Sequence, residues 1–305
     1  MTRLTRTQWA ALIVLTLLWG LNWPVMKLAV SAWPPMTFRA ASMLLGLPCL
    51  GIGLRLMGVP LHIPRAHWCE LGLLASTNMI GWHVPLMIAL PALPAGRAAI
   101  LGYTMPVFSA LWGRWFWRER LSAAQLLGVS AAGLAVLLLV RGEFAHLGGA
   151  PVAALWLVLA SAIWALGTQQ LRRTHVPVPV LTIAFWMTAI TTVVVCVLAL
   201  VMERDRWHLP NSTVVAAVLY NAVLIFGFCH AAWFTLARQL PPAASSVSIC
   251  MIPVLGLGSA AWWLNEPVTW VDGLAVALIV LAIAAVLRSQ AAAPHSAAQP
   301  GAERV

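Results

Sequence analysis

Acidic side chains are scarce in this chain: 8 Asp and Glu among 305 residues, with charged residues of both signs reaching only 9%. So little charge cannot cover the surface of a soluble globule. A mean hydropathy of +0.89 and recurring apolar runs of about 20 residues make the chain a polytopic membrane protein. Period-two alternation is absent, which excludes a β-barrel. There is no CxxC and no Cys/His ligand spacing. Cys49, Cys69, Cys196, Cys229 and Cys250 lie singly in or beside apolar segments and read as small packing residues, so no metal and no cofactor are expected. Lysine occurs once, against 17 arginines set in ones to threes at helix ends. Without a basic arm or face, the net charge of +10 is a topology signal and not a nucleic-acid footprint. HExxH, GxSxG and paired intramembrane carboxylates are missing too, so no residue is assigned a catalytic role.

What is present is a duplication. Residues 94 to 121 return as 241 to 268: a shift of 147 positions carries Pro94 onto Pro241, Pro106 onto Pro253, Val107 onto Val254, Trp115 onto Trp262 and Glu119 onto Glu266. The same shift lays His83 on His230 and Leu93 on Leu240. Matched Pro, Trp, Glu and His are poor candidates for coincidence, even in a chain 62% hydrophobic, and predict two copies of one unit.

Apolar segments run over 8 to 30, 36 to 54, 67 to 90, 95 to 117, 122 to 140, 151 to 171, 180 to 202, 213 to 236, 242 to 264 and 269 to 287. The expected fold is therefore an all-α membrane protein of ten transmembrane helices, five in each of two repeats spanning 1–140 and 151–287. Residues 288–305, Ala/Pro-rich and without apolar periodicity, are expected to be a disordered cytoplasmic tail. The first segment follows Arg3 and Arg6 like a signal peptide, but its core is long and it has a counterpart in segment six, so it is expected to be retained. With the N-terminus inside, Arg3, Arg6, Arg55, Arg65, Arg114, Arg118, Arg120, Arg172, Arg173, Arg238, Arg288 and Arg304 fall in the cytoplasm. Lys27, Arg39, Arg141, Arg204 and Arg206 fall outside. This bias predicts a multi-pass protein with both termini cytoplasmic. Because each copy has an odd number of helices, the second enters from the opposite side and the repeat is inverted.

Trp19-Gly20-Leu21-Asn22, Phe38-Arg39, and two Pro-containing helices each followed by a glutamate, in Arg118-Glu119-Arg120-Leu121 and Asn265-Glu266-Pro267-Val268, resemble the EamA-type members of the drug/metabolite transporter superfamily. The likeness spans about residues 8 to 287 and lies in the ensemble, not in one motif. It implies ten helices in an inverted five-helix repeat, peripheral helices five and ten, and a substrate cavity between the halves. It also implies export of small metabolites such as amino acids across a bacterial inner membrane.

Inverted repeats place a substrate site near the midplane where the halves meet. Pro106 and Pro253 interrupt helices four and nine and are hinge candidates, with intramembrane packing as the bland reading. Trp19, Asn22 and Trp164, near the middle of helices one and six, are substrate-binding candidates; Trp9, Trp33, Trp68, Trp207 and Trp270 are interfacial anchors. His83 and His230 are expected at mirrored depths, one toward each mouth, binding polar groups or moving protons, or else merely packing. Arg97, about one turn into helix four, either snorkels to the outer face or takes a substrate carboxylate. Tyr103 and Ser248 are weaker cavity candidates. Glu119 and Glu266 are read as boundary caps and local ion pairs, and Glu70 lies near the inner start of helix three.

The leading reading is an inner-membrane exporter of small amphipathic metabolites, amino acids or related compounds, working by alternating access. The alternative is a carrier of another solute class, such as a nucleobase, sugar or lipid-linked intermediate; an intramembrane enzyme or a scaffold is the remote one. The expected partners are a small-molecule substrate and the lipid bilayer. The coupling ion and the choice between monomer and homodimer stay open.

Overall fold

A computed structural model describes residues 5–145, 150–230, 232 and 242–292. Arg3, Arg238, Arg304, Leu240, Pro241 and the tail from 293 onward lie outside the described residues. The described residues form only helices and connecting turns, and their helices make ten membrane crossings. The helices are α1 (Arg6–Ala32), α2 (Pro35–Leu56), α3 (Arg65–Ala89), α4 in two pieces (Ala95–Gly102 and Met105–Trp117) and α5 (Ala123–Ala145). The second five are α6 (Pro151–Leu171), α7 (Val180–Glu203), α8 (Ser212–Cys229), α9 (Pro242–Leu264) and α10 (Trp270–Ala292).

Local chemistry starts these helices. Thr5 and Gln8 form a reciprocal capping box at α1, with Thr5 N donating to Gln8 Oε1 at 2.9 Å and Gln8 N to Thr5 Oγ1 at 3.2 Å. Ser122 and Gln125 do the same at α5, at 2.8 and 3.2 Å. Thr269 and Asp272 do so at α10, at 2.9 and 3.3 Å. The last two boxes are one repeat apart in register. Helix ends match as well: among the described residues, Arg118 after α4 and Asn265 after α9 are the two non-glycine residues with positive φ, at 55° and 53°. The next N–H in each case reaches back six residues, Glu119 to Gly113 O at 3.1 Å and Glu266 to Ala260 O at 3.4 Å, giving a helix-end carbonyl a donor.

Two departures from α-geometry also pair. α3 widens to a π-helix over Ala75–Ile80 and α8 over Tyr220–Cys229, in each case just before the matched histidine. Such bulges mark functional helices more often than passive ones. α4 and α9 differ, however. Pro106 lacks the N–H that would bond the Gly102 carbonyl, and α4 breaks there, between Gly102 and Met105. Ser161 Oγ lies 3.0 Å from the freed Gly102 carbonyl and 3.1 Å from those of Leu101 and Leu157, which share its one proton, and Thr104 Oγ1 donates to Leu101 at 2.7 Å. α9 runs unbroken through Pro253.

The repeats interlock. α1 packs on α8 and α9 of the other half, and α6 correspondingly on α3 and α4. α2 lies on α8 as α7 lies on α3, while α2 meets α7, α4 meets α9 and α5 meets α10. These contacts between halves have mates under exchange of the two repeats, as a pseudo-twofold arrangement requires, whereas α5 on α6 and α4 on α10 have no counterpart of comparable extent among the described residues. Small residues permit the approach: a Cβ on Gly167 of α6 would stand 2.5 Å from the Asn78 backbone nitrogen of the α3 bulge. Away from the seam the helices present exposed Leu137, Val193 and Val201, a surface suited to lipid.

Candidate functional site

Where the halves meet, one phenyl ring gathers three polar groups. Phe226, fully buried in the π-helical part of α8, has the His83 imidazole of α3 tilted at 5.7 Å and the His230 imidazole stacked at 5.3 Å with an interplanar angle of 12°. The Arg39 guanidinium of α2 lies 5.7 Å from the same ring centroid. His230 Nδ1 is held by the Ile225 carbonyl at 2.8 Å. Both ring nitrogens of His83 are buried without a hydrogen-bond partner among the described residues, as are Arg39 Nε and Asn22 Oδ1. The other buried side-chain nitrogen and oxygen atoms of the described residues have partners, as interiors require.

Around this centre stand aromatic side chains. Tyr103, at the break in α4, meets Trp23 edge-on at 6.5 Å, and Trp164 of α6 meets Trp82 of α3 at 5.7 Å. Gly102 lies between Trp23 and Trp82, where an added Cβ would stand 2.7 and 3.2 Å from their rings. Trp19 packs with Leu15, Tyr220, Ile225 and Cys229. Ser248 of α9 shares a hydrogen bond with Thr16 of α1, a hydroxyl pair joining the halves.

Carboxylates act at the two ends of the bundle. Glu266 accepts from Ala95 N at 2.7 Å and Gly96 N at 3.1 Å, capping the start of α4 from the opposite repeat. Glu203 likewise accepts from Met36 N and Thr37 N at the start of α2, at 3.0 and 2.8 Å. A carboxylate on these N–H groups completes the donors that a helix start leaves open and complements its dipole. At the other end Glu119 pairs with Arg173, whose guanidinium also lies 4.2 Å from the Trp117 ring centroid. Glu70 accepts from the Thr174 hydroxyl.

Several expectations change. His83 and His230 do not stand one toward each mouth, because Phe226 draws both imidazoles to one ring. Arg97 is neither a snorkelling side chain nor an open carboxylate receptor: its Nε donates to Asp272 Oδ1 at 2.8 Å, and Asp272 is 1% exposed. Arg39, counted in the sequence as an outside topology charge, is 1% exposed between helices. Glu119 pairs with the end of α6 and not with its neighbours Arg118 and Arg120. Pro106 coincides with a helix break and Pro253 does not. Arg39, Phe226 and Asp272 were missed as site residues. Phe226 has no signal in a chain this apolar, while Asp272 could have been found from Thr269-x-x-Asp272 as a capping box.

Comparison with known proteins agrees with this architecture. A crystal structure is similar with a TM-score of 0.62 at 22% identity, covering 94% of this chain and 98% of the other. At 26% identity the chain is similar to the uncharacterized transporter YvbV of Bacillus subtilis, over 98% of this chain and 97% of that protein. At 26% it is also similar to a probable amino-acid metabolite efflux pump of Escherichia coli, over 88% and 90%. The model of the EamA-like transporter family matches residues 8–141 and again 151–288. Two matches that together span nearly the whole chain, on an interlocked ten-helix fold, mean that this multi-pass membrane protein is a transporter and belongs to the EamA-like transporter family.

Proposed function

We propose that the protein exports small amphipathic metabolites, amino acids or related compounds, across a bacterial inner membrane by alternating access between its two repeats. One observation carries this reading: Arg39 Nε and both ring nitrogens of His83, buried without a hydrogen-bond partner among the described residues, belong to side chains that flank the Phe226 ring on the seam between the halves, and the equally unpartnered Asn22 Oδ1 lies one turn along α1 from Met26, which Arg39 touches. Aromatic surface suits the apolar part of such a solute and the polar atoms suit its zwitterionic part. The name of the similar efflux pump points the same way. With both termini in the cytoplasm, as the arginine bias suggests, the Glu266 cap on α4 closes the periplasmic end.

Counterflow of labelled leucine, phenylalanine and threonine into proteoliposomes tests the reading. The expected result is exchange of at least one of them, reduced about tenfold or more in His83→Ala or Trp164→Ala, the effect of losing one good contact. Unaltered counterflow in both variants would remove the seam as the transport site.

A further inference from the structure

Arg39 is a buried cation with no acidic partner among the described residues. A guanidinium carries five N–H donors. Here Nη2 reaches only the Met26 thioether at 2.9 Å, Nη1 reaches the neutral Asn221 amide at the long distance of 3.5 Å, and Nε reaches nothing among the described residues. The two rings beside it, Phe38 and Phe226, each lie 5.7 Å from Cζ and supply a cation–π attraction, which does not replace a counter-charge.

The acidic side chains that are engaged are committed elsewhere. Glu70 is on Thr174, Glu119 on Arg173, Glu203 on the start of α2, Glu266 on the start of α4, and Asp272 on Arg97 and Thr269; Asp205 is exposed. A buried charge without a partner is strongly unfavourable, and in a membrane-spanning helix it marks a functional site by default. Beside the same Phe226 ring, His83 has a ring N–H with no acceptor among the described residues.

We infer that Arg39 is the carboxylate receptor of the transport site, with the His83 N–H as a second donor, so that the substrates are organic carboxylates held by their acid group. This rests on the exporter reading and narrows it: an anionic oxygen pair on the solute supplies the missing counter-charge, while the amine is not what the centre recognises. Asn221, whose Nδ2 is fixed on the Ala217 carbonyl at 3.1 Å, holds its Oδ1 toward the guanidinium and orients it. Charge-assisted, two-pronged recognition is what a guanidinium does better than an ammonium.

The test compares, on the full-length protein in proteoliposomes, leucine, phenylalanine and threonine with their amides and with the acids lacking the amine. Competition in counterflow and the shift in melting temperature in detergent are both read. Wild type is expected to recognise both sets of acids and to bind the amides about tenfold or more weakly. Arg39→Gln is expected to lose that preference, and Arg39→Lys to recover part of it. If Arg39→Gln does not fold, the wild-type comparison decides alone. Equal recognition of acids and amides, or a folded Arg39→Gln that keeps the acid preference, overturns the inference while leaving export intact. Recognition of the amine-free acids without any amino acid would overturn the amino-acid reading and support the receptor. Recognition of no carboxylate at all overturns the receptor, whatever other solute is carried.

Discussion

Single residues separate the paired charges from the unpaired one. Arg97 and Asp272 are complementary partners at 2.8 Å, and Asp272 also accepts from the Thr269 backbone and hydroxyl at 2.9 and 2.7 Å. Asp272→Asn would leave Arg97 facing a neutral amide and weaken the cap of α10. Breaking one side of a buried pair costs about 3–5 kcal/mol, so the melting temperature in detergent is expected to fall clearly, and the double substitution Arg97→Met/Asp272→Leu to recover part of the loss. Arg97 was legible in the sequence as a cation needing an explanation, but its partner lies in the last helix, and one sequence offers no means of pairing positions that far apart. Arg39 was misplaced for a related reason. A charge a few residues into a helix looks like a boundary marker until packing shows that α8 covers it.

At the scale of an element, the broken α4 is the most informative. Pro106 announced a defect in the sequence, and the break begins just upstream at Tyr103 because proline strands the carbonyl one turn before it. The sequence could not show what satisfies that carbonyl. Ser161 arrives from the other repeat, its hydroxyl 3.0 Å from the Gly102 carbonyl. Ser161→Ala is expected to cost about 1–3 kcal/mol, the desolvation penalty of a buried acceptor left open, and to show as a lowered melting temperature. α9 stays helical through Pro253 despite the hydrogen bond lost there, so matched prolines did not give matched geometry. The π-helical stretches had no sequence signal, although they fall in register and each precedes its histidine.

At the scale of the molecule, the duplication was the most legible property, because helix-end chemistry repeats at fixed spacing even where apolar residues have drifted. Which helix meets which was not legible, since the interlocking depends on close approaches such as Gly167 against Asn78. Glu266 ties the second repeat to α4 of the first, and Glu266→Gln is expected to loosen that end. Spin labels at Ala92→Cys and Val268→Cys, in a variant lacking the native cysteines, should then report a longer distance population than in wild type; an unchanged distance distribution would show that the clamp does not hold this end shut. Exchange of the repeats makes Glu119 the counterpart of Glu266, and Glu119 pairs with Arg173 at the end of α6. The residue matching Ala95 is Pro242, which has no N–H to give. A carboxylate cap on the start of α9 built like the one Glu266 makes on α4 would have one donor fewer, a difference worth about 1.5–3 kcal/mol for a charge-assisted hydrogen bond. Twin halves thus do not make twin ends, and the asymmetry traces to a single imino acid.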